Sequence, residues 1–472
     1  MYLNTVIVGG GQAGLAMSRC LQERCIENII LERGNVGERW RSSYWDSLTL
    51  LTPKWQTRLP GGYTYEGKED TDEFMSAAEF VQYLEDYARS FHAPLRTNTN
   101  VVQISCVEEE EENLTSNKNS KGASPTRFKI VTEDGSTLLT TNIVLATGYC
   151  DLPSIPIFAS NLSPSVQQYS VVNYKRPSQV LSSINNNRIS VEKSQMILIV
   201  GSGASGLQIA QELALAAKDN NNNIKVAISV GRHCRWPRTY RGKDILWWVD
   251  QMGLFQSPAS QTEEASNPGP QLAGYQDHYN ISLYDLKQQH GKTVELVGRV
   301  TNITSEKVEC DSDSLVANLQ EADDKCILLA RAIDAFAEKE GIDAVTGKQE
   351  EEGFCQRLPY ESLPKINHLN VHDLNCVIWA TGFCRSYPFL SDDLTNRLWD
   401  SERKILCNQG GITPQPGMYV LGYRWLRRKN SNFVDGVGED ANDLAEHICP
   451  SNATRSEQLS QPARVGSWNG MR

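Results

Sequence analysis

The 472-residue chain has few of the features that would mark it for a membrane, for nucleic acid or for a disulfide scaffold. Long apolar runs are missing. The longest, such as Ile197 to Val200 and Ile143 to Ala146, are strand-sized and far below the roughly 18 to 20 residues that a bilayer span requires. No membrane span is expected. Positive charge is in deficit: Lys+Arg 46 against Asp+Glu 57 gives a net charge of −11. A phosphate-backbone ligand therefore has no global electrostatic support, and nucleic acid is not an expected partner. Cysteine is sparse, 12 residues with no CxxC pair, which suggests neither a disulfide framework nor a zinc ribbon. His278, His290, His368 and His372 show no metal-ligand spacing, so no metal is expected. The opening residues MYLNTVIVG read as a strand entering a turn. That leaves no room for a charged segment, an apolar segment and a cleavage site. A cytoplasmic location is expected, and Asn-x-Ser/Thr matches such as Asn302-Ile303-Thr304 then carry no glycosylation meaning.

What is present is a pair of glycine-rich turns, each behind a β-branched run. The first is Val6-Ile-Val-Gly9-Gly-Gly11-Gln-Ala-Gly14, followed by a helical pattern to about Gln22 and a strand Ile29 to Leu31. The second is Ile197-Leu-Ile-Val-Gly201-Ser-Gly203-Ala-Ser205-Gly206, followed by a helix through about Ala217 and a strand from Lys225 to Val230. Two dinucleotide-type βαβ units are predicted, hence an α/β protein with two Rossmann-like domains. Between them, Glu79 to Phe91 reads as a helix, and Phe128 to Ile143 as a hairpin turning at Asp134-Gly135. The polar stretch Glu108 to Pro125 reads as a solvated insertion, and Asn220 to Asn223 as a loop extension. Gln256 to Pro270 and Gly347 to Gly353 read as surface segments, and the residues after about Pro450 as a frayed tail.

The chemistry of each turn follows from its glycines. Gly9 permits the tight turn, Gly11 lets a pyrophosphate approach the backbone, and Gly14 allows helix and strand to pack closely. The helix N-terminus then offers unpaired N–H groups and partial positive charge. Glu32 follows Gly14 by 18 residues, at the strand end where a carboxylate can accept both ribose hydroxyls and would repel a 2′-phosphate. The first site therefore suits FAD or NAD better than NADP. The second unit has no such acid; its strand leads into Gly231, Arg232, His233, Cys234 and Arg235, with Arg238 close behind. Arginine pairs bidentately with phosphate oxygens, so NADPH is the expected ligand there, with NADH not excluded. Two dinucleotide sites in one chain imply hydride transfer from the nicotinamide to FAD.

At this point the residues resemble a known group. Glu38-Arg39-Trp40-Arg41, Tyr44-Trp-Asp-Ser-Leu48, Leu51-Thr52-Pro-Lys54 and Leu59-Pro60 look like the flavin-facing segment of the class B flavin-dependent monooxygenases. Ala146-Thr147-Gly148 and Ala380-Thr381-Gly382 look like the two strand-to-turn motifs that link FAD and NADP domains in that fold. So do the stretches Arg238 to Trp248 and Gly417 to Gly422, and the likeness spans roughly residues 5 to 448. The resemblance implies an FAD domain built from residues 1–155 and 376–450, an NAD(P)H domain inserted at 156–375, and a flexible tail at 451–472. It places Gly9, Gly11, Gly14, Glu32, Arg39, Trp40, Thr52, Val101, Thr147 and Gly148 against the first cofactor. It places Gly201, Gly203, Ser205, Gly206, Arg232, Arg235, Thr381 and Gly382 against the second or at the junction. No catalytic side chain is assigned.

The implied reaction is NAD(P)H-dependent oxygenation of a small organic substrate with O2 through a C4a-(hydro)peroxyflavin. One departure directs it toward N or S and away from Baeyer–Villiger insertion: Tyr169 stands where that fingerprint has its histidine, although Ser170 and Tyr174 are kept. A second departure, Leu51 where the mammalian-type enzymes carry an asparagine, means that a side-chain amide steadying the peroxide adduct is not carried over. Alternatives are a flavin oxidase or reductase without oxygen insertion, a peroxyflavin halogenase, or a nucleotide-binding redox sensor. A homodimer is possible under each. Cys20 and Cys25 precede the second strand and read as helix-packing residues, not as the redox pair of a disulfide reductase. His233 is either solvated or a nicotinamide contact. Trp247-Trp248 reads as a packing pair, and Asp440 as a flavin contact or a helix cap.

Overall fold

The computed structural model describes residues 2–65, 73–107, 127–186, 195–219, 224–259, 269–272, 281–342, 356–402 and 405–449. Strand β1 (Tyr2–Val8), helix α1 (Gln12–Glu23) and strand β2 (Asn28–Leu31) form the first βαβ crossover. Helix α2 (Ala77–Ser90) begins two residues ahead of the sequence expectation because Ser76 caps it in a reciprocal box with Glu79. Strands β3 (Leu95–Arg96), β4 (Val101–Cys106), β5 (Phe128–Thr132) and β6 (Thr137–Leu145) follow, β5 and β6 being the expected hairpin.

A short strand β7 (Leu152–Pro153) leads out to the second unit. That unit comprises β8 (Gln167–Ser170), β9 (Gln195–Val200), α3 (Ala204–Asp219), β10 (Ile224–Ser229), α4 (Ile245–Gln251), β11 (Val294–Val297), α5 (Ser312–Glu340) and β12 (Leu374–Trp379). The chain returns through β13 (Phe383–Cys384), β14 (Met418–Val420) and α6 (Val434–Ile448).

Two sheets result. The first has the order β3-β2-β1-β6-β5-β4 with β14 added in parallel to β6. The second is fully parallel in the order β8-β12-β9-β10-β11. The central strands read as continuous apolar runs because both their faces are covered: Val6, Ile7, Ile143, Val144, Ile197, Leu198 and Ile199 are all buried, and in the second sheet Leu198 packs against the antiparallel strands Arg299–Ile303 and Lys307–Asp311 while Ile197 and Ile199 face the helical side. β12 still belongs to the second sheet, so the return to the first core follows Trp379, a few residues later than the expected boundary at 376. The expected loops at 108–125, 220–223 and 347–353, most of 256–270 and the tail after 450 lie outside the described residues. Among the described residues no helix is long and apolar enough to cross a membrane.

Candidate active site between two dinucleotide cradles

The two glycine turns share one geometry. Gly9 has φ +113° and Gly201 φ +116°, values that L side chains rarely adopt. A Cβ on Gly9 would collide with the carbonyl oxygen of Ala146, and a Cβ on Gly201 with that of Ala380. Each first glycine thus lies against the Ala-Thr-Gly turn at the end of a neighbouring parallel strand, β6 for one and β12 for the other. Gly14 and Gly206, one helical turn on, would strike the carbonyls of Gly9 and Gly201. The middle glycines differ: a Cβ on Gly11 or Gly203 meets no protein atom within 4 Å. Packing demands glycine at the outer positions, whereas open space in front of the helix N-termini remains at the central ones. That space fits a pyrophosphate held by backbone N–H groups.

Glu32 directly follows β2 in a buried position, and its two carboxylate oxygens accept from Gly10 N–H at 2.6 Å and Gly34 N–H at 2.9 Å. The carboxylate is thereby held at the rim of the first cradle. At the second cradle, Gln271 is buried and donates from Nε2 to the carbonyl of Ser202, while Gln271 Oε1 and Ser202 Oγ have no hydrogen-bond partner. Gln271 reaches there because Pro270–Gln271 pairs in parallel with Cys234–Arg235.

The arginines after β10 are placed differently from the simple phosphate-binding expectation. Arg235 is held by Asp323 at 2.6 Å and by the Gln356 carbonyl at 2.9 Å. Arg232 is the more exposed of the two and lies 3.7 Å from Glu321. Both acids come from α5, a long helix whose polarity the β10 turn does not reveal. Arg238 is internal altogether, bonded from Nε to Asp244 at 2.8 Å. His233 is buried, not solvated, and its Nδ1 lies 3.0 Å from the Gly231 carbonyl; burial lowers its pKa.

Other expected residues divide between contact and scaffold. Arg39 pairs with Asp151 beside the first Ala-Thr-Gly turn. Trp40 packs edge-on against Phe80 and tilted on Tyr44. Thr52 lies on the strand Thr49–Pro53, and Val101 is buried in the first core. Thr147 bonds Tyr423, and Gly148 and Gly382 take φ +75° and +84°. Thr381 Oγ1 donates to the Ser154 carbonyl at 2.6 Å, tying the second turn to the strand leaving the first domain. Ser205 lies in the first turn of α3. Tyr169, at the histidine position of the stricter fingerprint, spends its hydroxyl on Gln167 in the edge strand β8. Leu51 enters through its carbonyl, which accepts from Arg238 Nη1 at 2.9 Å.

Trp248 is a packing residue as expected, donating Nε1–H to the Tyr240 carbonyl. Cys20 is buried in α1, its thiol pushed up to about 12 by burial, while Cys25 is exposed just past the helix end. Asp440 is not a cap: it sits inside α6, fully buried, 2.7 Å from Arg428. Phe433 occupies the N-cap position instead.

The residues that sequence reasoning missed cluster at the start of α6. Gln12, the first residue of α1, donates to the Asn432 carbonyl at 2.8 Å, so this loop meets the first cradle directly. Around it are buried polar atoms without hydrogen-bond partners: Gln56 Oε1, Thr57 Oγ1, both side-chain ends of Asn430, Asn432 Oδ1, Asp435 Oδ1 and Asp440 Oδ2. Gln56 is 2% and Asn430 1% exposed, so these are costly orphans unless a polar partner occupies the site. A flavin, with its edge of alternating donors and acceptors, fits that requirement. The available signal was the Asn-Ser-Asn run ahead of an amphipathic stretch.

Asp435 adds a pH signature. Burial, reinforced by Asp250, raises its pKa to about 6 against a hydrogen bond from Gln56. Because the folded value lies above the unfolded one, the folded state binds the extra proton between about pH 4 and 6. Stability contributed by the neutral form is present below that window and lost as pH rises through it. Asp435→Asn should therefore flatten the stability profile across this range and raise stability at pH 8 by about 2 kcal/mol. Thermal melts of both proteins at pH 5 and pH 8 check this; a profile unchanged by the substitution would contradict it.

The comparisons with known proteins agree with this geometry. Residues 6–214 match the sequence model of the pyridine nucleotide-disulphide oxidoreductase family. An uncharacterized CzcO-like oxidoreductase of Geobacillus kaustophilus is 28% identical over 94% of this chain and 99% of its own length. The probable indole-3-pyruvate monooxygenase YUCCA1 of Arabidopsis thaliana is 30% identical over 44% of each chain. A flavin-containing monooxygenase structure from Stenotrophomonas maltophilia shares the fold, with TM-score 0.58 and 16% identity over 95% of this chain and 98% of that one. The chain is thus similar to two-dinucleotide-domain oxidoreductases in sequence and shares the fold of the flavin-containing monooxygenase structure.

Proposed function

We propose that the chain is an FAD-dependent, NAD(P)H-driven monooxygenase acting on a small organic molecule at nitrogen or sulfur. The reading rests on the paired cradles: two helix N-termini, each with a central glycine facing open space, sit on sheets joined through Thr381 and Ser154. FAD is assigned to the first cradle, with Glu32 at the ribose and the orphaned groups of Gln56, Asn430, Asn432 and Asp435 at the ring. The nicotinamide dinucleotide is assigned to the second, with Gln271 and Ser202 beside it. Arg232, the more exposed of the two arginines, is assigned to a 2′-phosphate, and Arg235 to its internal pair with Asp323. When bound, the flavin accepts a hydride from the nicotinamide and activates O2. The protein's part is to orient both rings and keep water away from the reacting atoms.

A disulfide reductase of the matching family would need an accessible thiol pair at the flavin. Burial raises the thiols of Cys20, Cys150, Cys234, Cys310 and Cys376, which disfavours the thiolate such chemistry requires. These five thiols are therefore poorly suited to serve as that pair.

The test is NADPH consumption by the flavin-loaded protein against amines, sulfides and ketones under 18O2, with peroxide measured in parallel. One amine or sulfide class should consume NADPH without releasing peroxide and gain one heavy oxygen. If every substrate class returns all electrons as H2O2, the protein is an oxidase and the proposal fails.

A further inference from the structure

The wall of the second cradle holds an acid that neither the glycine turn nor the arginines after β10 foretell. A crevice of about 10 Å³ there is lined by His233, Arg235, Gln271, Tyr284 and Asp323, among others. Gln271 ties it to the glycine turn through the Ser202 carbonyl, and His233 and Arg235 come from the loop that leaves β10. In a nucleotide-binding βαβ unit this strand end faces the adenosine ribose, where an acid selects the free 2′-hydroxyl and an arginine a 2′-phosphate. This chain places both at one crevice.

The two charges are joined inside the protein. The side chains of Arg235 and Asp323 are 12% and 9% exposed. Asp323 Oδ1 accepts from Arg235 Nη1 at 2.6 Å, and Oδ2 accepts from the Tyr360 hydroxyl. The same arginine nitrogen donates to the Gln356 carbonyl at 2.9 Å, and the guanidinium carbon lies 6.0 Å from the centroid of the Tyr284 ring. Three other stretches of chain therefore hold this guanidinium: the helix Leu283–His290, α5 and the segment 356–360. A crevice with room for about one water does not screen such a pair as bulk solvent would. Glu321, the acid of α5 nearest Arg232, is drawn to Lys325 instead, at 2.6 Å against 3.7 Å. The two arginines are not equivalent, and Arg235 is the one whose charge is cancelled from within.

We infer that Asp323 sets the coenzyme selectivity of the second cradle: by cancelling Arg235 it holds the preference for NADPH over NADH below tenfold. This rests on the reading of that cradle as a nicotinamide dinucleotide site and is independent of the reaction that follows. A guanidinium fork matches phosphate oxygens bidentately. With Asp323 bonded to the fork, a 2′-phosphate at the rim meets a neutralised cation and a carboxylate beside it, so attraction and repulsion offset each other. The 2′-hydroxyl of NADH carries no charge and is indifferent to the pair.

Isothermal titration of the full-length, flavin-loaded chain with NAD+ and NADP+, and with ADP and 2′,5′-ADP as fragments, reads selectivity without turnover. NADP+ should bind the parent no more than tenfold more tightly than NAD+. Asp323→Asn keeps the shape of the side chain and its capacity for hydrogen bonds but leaves Arg235 uncompensated. It should raise the affinity ratio of NADP+ to NAD+ tenfold or more, with 2′,5′-ADP gaining over ADP alike. Adding Arg235→Gln to Asp323→Asn should return the ratio to within threefold of the parent. Asp324→Asn makes the same charge change at the exposed neighbour that pairs with Arg357, and it should leave the ratio within threefold. Circular dichroism and flavin content confirm folding, and the parent ratio needs no variant. A parent preference for NADP+ above tenfold overturns the inference. So does a ratio that Asp323→Asn does not move, or a gain that survives Arg235→Gln or is reproduced by Asp324→Asn; in each case the dinucleotide assignment stands. If neither NAD+ nor NADP+ binds at millimolar concentration, that assignment fails and the inference falls with it.

Discussion

Gly11→Ala should yield a folded protein that no longer retains its flavin. Gly11 has φ −85° and ψ −172°, a conformation open to any L residue, and its Cβ would meet no protein atom within 4 Å. The substitution therefore costs the fold within about 0.5 kcal/mol, as expected of a site without packing contacts. A pyrophosphate lying on the helix N-terminus would meet that methyl group directly, and we expect about a 100-fold loss of FAD affinity, about 2.7 kcal/mol. Gly14→Ala makes the contrast, because its Cβ would drive into the Gly9 carbonyl and open the turn itself. That variant should lose several kcal/mol of stability and accumulate poorly. Gly203→Ala should keep its flavin and raise the NADPH concentration needed to bleach it by tenfold or more. Flavin absorbance per chain, thermal melts and rapid-mixing bleaching separate the three. A Gly11→Ala protein that purifies with a full complement of flavin would refute the assignment of the first cradle.

Much of this arrangement was legible in the sequence because it is local. The positive φ of Gly9 and Gly201 and the close approach of Gly14 and Gly206 to them are set within the turn itself, although the Ala146 and Ala380 carbonyls that crowd the first glycines come from distant strands, and Glu32 is fixed by the length of one crossover. The hairpin at Asp134-Gly135 and the packing role of Trp248 are local in the same sense. What was not legible depends on long-range partners. Arg235 looks like a phosphate ligand until α5 arrives 88 residues later with Asp323. His233 looks solvated until the same packing buries it. Asp440 has the composition of a cap, yet Phe433 takes that position and the helix starts six residues before the aspartate. The orphaned groups at Gln56 and Asn430 are nearly 400 residues apart in sequence and share a region only because β14 returns to the first sheet. Local chemistry identified the nucleotide turns, and tertiary contacts decided which charged residues remain at the site.

Arg238→Ala should be the most damaging single side-chain truncation in the region between the two units. Arg238 and Asp244 are 1% and 0% exposed, and the pair is bonded through Nε at 2.8 Å and through Nη2 at 2.6 Å. The guanidinium also donates to the Leu51 carbonyl and lies 4.8 Å from the Phe74 ring, so it clamps a loop of the second unit onto the flavin-side segment. Asp244 in turn caps α4 by accepting from Leu246 N–H at 2.7 Å. Removing the arginine leaves a buried carboxylate without the charge that faces it, a change that costs about 3–5 kcal/mol. At roughly 2–4 °C per kcal/mol for a domain of this size, Tm should fall by roughly 10 °C. Asp244→Ala alone should cost a similar amount, and the double variant should be less damaged than the sum by more than about 1 kcal/mol, since each single change strands the other partner. Flavin content should survive at 25 °C, because no cradle residue is touched. Hydride transfer should slow about tenfold as the distance between the rings loosens, since small misplacements are costly in a step that depends on orientation. A Tm within 2 °C of the parent, or strict additivity of the two single losses, would show that this ion pair is not what fixes the two cradles to each other.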